Sequence, residues 1–114
     1  ASGLMVSVAR EAAEILWKEN GKAVRVINVS SIKPLPKEEI SSLAKDSELI
    51  ITVEEHSIIG GLGEAVSNLL SEFPSPPIKK IGIKDQFGQS GKPDDLLEFY
   101  GLTKEKIIEA VFKK

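Results

Sequence analysis

Apolar positions along this chain fall into two kinds of spacing, and the two kinds alternate. Met5, Val8, Ala9, Ala12, Ile15 and Leu16 repeat every three or four residues, which predicts a helix with one buried stripe. Ser2 is placed to cap its start, and Asn20-Gly21 supplies a left-handed stop. Ala23 to Val29 is short and rich in β-branched residues, so it reads as a strand. Pro36 at a first helical position, with Glu38 and Glu39 in the first turn, opens a short helix through Ala44 whose buried side is Ile40, Leu43 and Ala44. Leu49 to Val53 is near-continuously apolar, the pattern of a strand covered on both faces. Leu62, Ala65, Val66, Leu69, Leu70 and Phe73 form the stripe of a further helix, which Pro74, Pro76 and Pro77 end. Ile78 to Ile83 alternates as a strand nearer an edge. Asp85 to Lys92 is a polar, glycine-rich loop. Pro93, Asp94 and Asp95 then open a helix carrying Leu96, Leu97 and Tyr100 and stopped by Gly101. Thr103 is placed to cap a last helix with Ile107, Ile108, Val111 and Phe112 on its stripe.

Strands alternating with helices predict an α/β fold: a mainly parallel sheet with helices on both faces, joined by right-handed crossovers. Three strands make a small sheet against the usual five or so. The chain also opens almost directly into a helix, so one or two strands are expected upstream of residue 1. Residues 1–114 are accordingly read as a single domain, incomplete at its N-terminus, whose open edge strand is a place for association.

Composition narrows the function classes. With 41% hydrophobic residues over 114 positions the chain suits one ordinary core. A formal net charge of −2 with no basic run leaves no surface for nucleic acid. No apolar stretch reaches the roughly 20 residues of a membrane helix, and the start lacks the basic-then-apolar order of a signal peptide. There is no cysteine, hence no disulfide and no thiolate metal site, and the cytoplasm is the expected compartment.

The candidate chemistry lies between the central strand and the helix after it. Glu54, Glu55 and His56 sit at the carboxyl end of a predicted parallel strand, where open α/β sheets bind ligands. His56 is the single histidine, so any histidine general base has one candidate. The competing reading is that these three residues order a loop at a domain or subunit contact, and that reading is favoured. One histidine and two adjacent carboxylates do not complete a metal shell. Gly60, Gly61 and Gly63 precede a helix start, which suits either an anion or close helix packing. The dinucleotide fingerprint fits poorly, because Val66 stands where its third small residue belongs and the turn from Glu54 to Ile59 is long. Gly91-Lys92-Pro93 likewise lacks the earlier glycine and following hydroxyl of a P-loop. Ser90 and Lys92 suit an anion or a solvated turn, and Trp17, beside its helix's stripe, suits core or interface.

Several of these stretches together resemble a family. Lys33-Pro34-Leu35-Pro36, and then Thr52-Val53-Glu54-Glu55-His56 running into Gly60-Gly61-Leu62-Gly63-Glu64-Ala65-Val66, resemble the C-terminal domain of transketolase-like thiamine diphosphate enzymes. Asp85-Gln86-Phe87-Gly88-Gln89-Ser90-Gly91 and Leu96-Leu97-Glu98-Phe99-Tyr100-Gly101-Leu102-Thr103 are more similar to transketolase itself than to deoxyxylulose-phosphate synthase or the β-subunits of 2-oxoacid dehydrogenases. The resemblance covers nearly the whole chain. It implies a three-layer α/β/α domain with a mainly parallel, five-stranded sheet whose first two strands precede the Ser2-Gly3 turn. It implies an enzyme of the pentose phosphate pathway that moves a two-carbon ketol unit between sugar phosphates such as xylulose 5-phosphate and ribose 5-phosphate. Thiamine diphosphate and Mg2+ would be held by other domains, and the carbanion chemistry belongs to the cofactor.

This chain has no Gly-Asp-Gly for Mg2+ and diphosphate and no histidine cluster for a sugar. No catalytic, cofactor-binding or metal residue is therefore assigned to it. Glu54, Glu55, His56, Gly60, Gly61 and Gly63 match the family's interdomain motif and are expected at an interface or a possible anion site. The expected partners are the remaining transketolase domains, or a separate N-terminal subunit, in a homo-oligomer. A freestanding anion-binding regulatory module remains the alternative outside the family.

Overall fold

The computed structural model describes residues 1–29, 35–57, 61–72, 74–83 and 102–113, with the backbone alone for His56, Ser57 and Ile83. The predicted loop from Asp85, the helix opening at Pro93, Phe73, Gly60 and Lys33-Pro34 lie outside the described residues. In chain order the elements are α1 (Met5–Asn20), α2 (Lys37–Lys45), β1 (Ile50–Ser57), α3 (Leu62–Leu70), β2 (Ile78–Ile83) and α4 (Lys104–Phe112).

β1 and β2 pair in parallel, with Ile50 opposite Ile78 and Val53 opposite Ile81. Successive side chains of a strand point to opposite faces, and the two faces are covered by different helices. Ile51, Val53 and Ile81 join Met5, Ala9 and Ala12 of α1 and Ile107 of α4 in one core. Ile50 and Ile78 join Ile40 and Ala44 of α2 and Leu62, Val66 and Leu70 of α3 in a second. The result is a three-layer α/β/α arrangement with the sheet between two apolar layers. Beyond Val53 the register slips: Ser57 stands opposite Ile83, so three β1 residues, Glu54 to His56, face Gly82 alone. Such an irregularity re-aims side chains at a strand's end.

The helix ends follow local chemistry. Gly21 closes α1 at φ 65°, a left-handed conformation that costs glycine nothing. Thr103 caps α4 by accepting from the Lys106 N–H at 3.4 Å. α1, by contrast, starts at Leu4 without a side-chain cap, and Ser2 contributes its backbone carbonyl to the Met5 N–H instead. Pro36 is the residue before α2, not its first turn. Trp17 is 62% exposed and takes no part in this chain's core.

The larger difference concerns residues 23–29, which form no laddered strand. Their contacts explain why. The Ala1 amino group donates to the Ile27 carbonyl at 2.9 Å, and the Val29 N–H donates to the Ala1 carbonyl at 2.9 Å. That is a parallel pairing with a single residue, and a ladder needs a longer partner.

Candidate functional site

Residues Glu54 and Glu55 are neighbours in sequence and are separated by the sheet in space. Glu54 continues the row of Ile50 and Thr52 and points at α3; it is 1% exposed. Its two carboxylate oxygens accept from the Leu62 and Gly63 N–H groups, each at 2.9 Å. These are first-turn amides of α3, which no intrahelical carbonyl can satisfy. The residue before the helix, Gly61, offers no side-chain cap, so a strand eight and nine residues upstream supplies one. Two charge-assisted bonds and the positive end of the helix dipole compensate the burial of this carboxylate.

Gly63 belongs to the same cluster for a steric reason. A Cβ at this position would lie 2.9 Å from Thr52 Oγ1 and 2.9 Å from Lys80 Cγ. The helix therefore rests directly on Thr52 of β1 and on the stem of Lys80 of β2, which pair across the sheet. Thr52 Oγ1 is buried and has no hydrogen-bond partner among the described residues.

Glu55 points to the opposite face, where it meets the chain's opening turn. A Cβ on Gly3 would lie 2.5 Å from Glu55 Oε1, which the flexible glutamate can move to relieve, whereas the backbone at φ 57° is what favours glycine there. The His56 backbone continues β1. Gly60, Ser90 and Lys92 lie outside the described residues.

The geometry limits what the site can do. Both Glu54 oxygens are engaged by backbone amides, so this group serves as the cap of α3. Glu55, directed to the other face, cannot form a carboxylate pair with it. Among the described residues no three His, Asp or Glu gather as metal donors. The first described amides of α3 are already taken by a carboxylate, so these residues do not fit a diphosphate or Mg2+. Thr52, Lys80 and Gly3 were not singled out from the sequence. Stepping back by two from Glu54 points to Thr52, but Lys80 depends on the strand register and Gly3 on the tertiary fold.

The model for the transketolase C-terminal domain matches residues 1–107. The chain belongs to this family. A Methanocaldococcus jannaschii protein named as a transketolase C-terminal section is 43% identical over all of this chain and 35% of its own length. A 6-deoxy-6-sulfo-D-fructose transketolase subunit from a Clostridium species is 38% identical over 96% of this chain and 34% of its own length. A 1-deoxy-D-xylulose-5-phosphate synthase from Heliobacterium modesticaldum is 42% identical over 94% of this chain and 16% of its own length. Among solved structures, a split-gene transketolase described as an inactive β4 tetramer superposes with a TM-score of 0.90 at 45% identity, covering 98% of this chain and 36% of that one. The domain thus spans about a third or less of the relatives it matches.

Proposed function

We propose that this domain is the C-terminal part of a transketolase, a cytoplasmic transferase that moves a two-carbon ketol unit between sugar phosphates in the pentose phosphate pathway. Thiamine diphosphate and Mg2+ are held elsewhere in that enzyme, and this domain contributes dimer and interdomain packing. The observation that carries the packing role is the commitment of Glu54 to the start of α3. A carboxylate used in this way fixes the start of α3 against the sheet. Glu55, His56, Gly60 and Gly61 are then the residues offered to a neighbouring domain or subunit, while Gly63 supports α3 from within through its close approach to Thr52 and Lys80. The names of the similar split-gene and subunit-type proteins support an enzyme assembled from more than one copy or chain.

The test is ketol transfer from xylulose 5-phosphate to ribose 5-phosphate by the complete enzyme with thiamine diphosphate and Mg2+, alongside its sedimentation. Gly61 has φ −99°, open to any residue, so Gly61→Val probes the contact without backbone strain. We expect Gly61→Val to lower the assembled fraction and the activity together, with activity per assembled enzyme unchanged. A fall in activity with assembly intact would move these residues into the chemistry. The 42% identity to a deoxyxylulose-phosphate synthase supports one second reading. Formation of 1-deoxy-D-xylulose 5-phosphate without ketol transfer would establish it instead.

A further inference from the structure

Of the chain's three asparagines, Asn20 alone precedes a glycine; Asn28 and Asn68 precede Val29 and Leu69. A glycine after asparagine leaves its amide nitrogen unshielded by any side chain, and that nitrogen can then attack the neighbouring carboxamide. Both Asn20 and Gly21 are exposed. They also form the end of α1, with Asn20 its last residue and Gly21 following at φ 65°. A Cβ on Gly21 would meet nothing within 4 Å, so water and base reach the pair from that side.

The fold of the same turn holds the reaction back. The Gly21 N–H donates to the Trp17 carbonyl at 3.0 Å, and the Lys22 N–H to the Leu16 carbonyl at 3.1 Å. An amide engaged as a donor gives up its proton less readily, and only the deprotonated nitrogen attacks. Helical ψ at Asn20 also turns the Gly21 nitrogen away from the side-chain carboxamide, whereas ring closure needs an extended ψ. Both restraints lapse together when the last turn frays, and helix ends are where a fold opens most easily. The turn is tied to α4 by an exposed contact, the Lys22 ammonium 5.6 Å from the centre of the half-exposed Phe112 ring.

We propose that Asn20 is a site of spontaneous modification, deamidated chiefly to isoaspartate and gated by fraying of the last turn of α1. The deprotonated Gly21 nitrogen forms a bond to Asn20 Cγ, the Cγ–Nδ2 bond breaks, and ammonia leaves with a proton taken from water. Water then opens the succinimide ring. Hydrolysis at the main-chain carbonyl routes the backbone through Cγ and gives isoaspartate; hydrolysis at the side-chain carbonyl gives aspartate. The sum is a carboxamide and a water converted to a carboxylate and ammonium. Isoaspartate adds a methylene to the main chain, so the Gly21 and Lys22 amides lose their register with the Trp17 and Leu16 carbonyls. The new carboxylate also sits at the negative end of the helix dipole. The cap does not re-form, and the contact of Lys22 with Phe112 of α4 goes with it. The change is therefore cumulative, an age mark at the seam of α1 and α4, and it is independent of the ketol-transfer assignment.

Peptide mass spectrometry on the full-length protein, aged at mildly alkaline pH and fragmented so as to separate isoaspartate from aspartate, tests it. The expected result is conversion at Asn20 and not at Asn28 or Asn68, with isoaspartate in excess, at a rate at least about tenfold below that of the protein unfolded in guanidinium. Lys22→Pro keeps Asn20-Gly21 but removes the N–H bonded to Leu16 and disfavours the left-handed Gly21 before it. It should raise the native rate about fivefold, the loss of one hydrogen bond. Leu70→Ala loosens the remote α2–α3 layer and should leave the rate unchanged. Asn20 intact after prolonged ageing, with Lys22→Pro equally inert, would overturn the proposal, as would equal rates in the native and unfolded protein. Equal acceleration by Leu70→Ala and Lys22→Pro would overturn the gate, because global unfolding would then be the route.

Discussion

Glu54 is a buried carboxylate that closes the start of α3. Its carboxylate matches two amide donors with two acceptor oxygens. Glu54→Gln keeps the size but turns an NH2 group toward one of those donors. We expect a loss of about 2–3 kcal/mol, read as a shift in the urea midpoint, with Glu54→Ala at least as costly. A loss below about 0.5 kcal/mol would mean that water takes over the cap. Thr52 is the opposite case, a buried hydroxyl with nothing to bond among the described residues. Thr52→Val replaces it at equal volume, so stability should hold or rise by about 1 kcal/mol. Gly63→Ala should cost about 1–3 kcal/mol through its 2.9 Å approach to Thr52 Oγ1. Combining it with Thr52→Ala should recover part of that, and strict additivity in the double-mutant cycle would show that the contact is not the cause.

Among the elements, the end of α1 is the cleanest to test. Gly21 is left-handed at φ 65°, and a Cβ there meets nothing within 4 Å. Any cost of Gly21→Ala is therefore backbone strain alone, about 1–2 kcal/mol, measurable by thermal unfolding with d-alanine at the same position as the rescue. At the far end of the fold, Lys79 of β2 reaches the carbonyls of Ala110 and Lys113 and so caps the C-terminus of α4. The Gly21 stop of α1 and the Thr103 cap were legible because they are settled within a few residues. The missed Ser2 cap has a tertiary reason, since the Ser2 backbone is held by Val53 across the fold.

For the whole molecule, the sheet separates two cores, and the layers should respond separately. Ile107→Ala removes side-chain volume from the α1–α4 layer and Leu70→Ala from the α2–α3 layer. Each should cost about 2–5 kcal/mol. Their sum should match the double variant to within about 0.5 kcal/mol, and a larger coupling in denaturant titrations would show that the sheet transmits strain between layers.

What the sequence determined by itself was periodicity: five helix stripes and three β-rich runs, in an order that only an α/β sheet accommodates. It also placed Glu54 and Glu55 toward the carboxyl end of a parallel strand and Gly61 and Gly63 at the start of the helix that follows. The division of labour between the two glutamates came from the tertiary structure alone. The pleat sends neighbours to opposite faces, so Glu54 meets α3 while Glu55 meets Gly3. The unladdered state of residues 23–29 was beyond sequence for a similar reason. β-branched composition gives a segment the tendency to extend, but a strand exists only when a second backbone lies beside it to exchange hydrogen bonds.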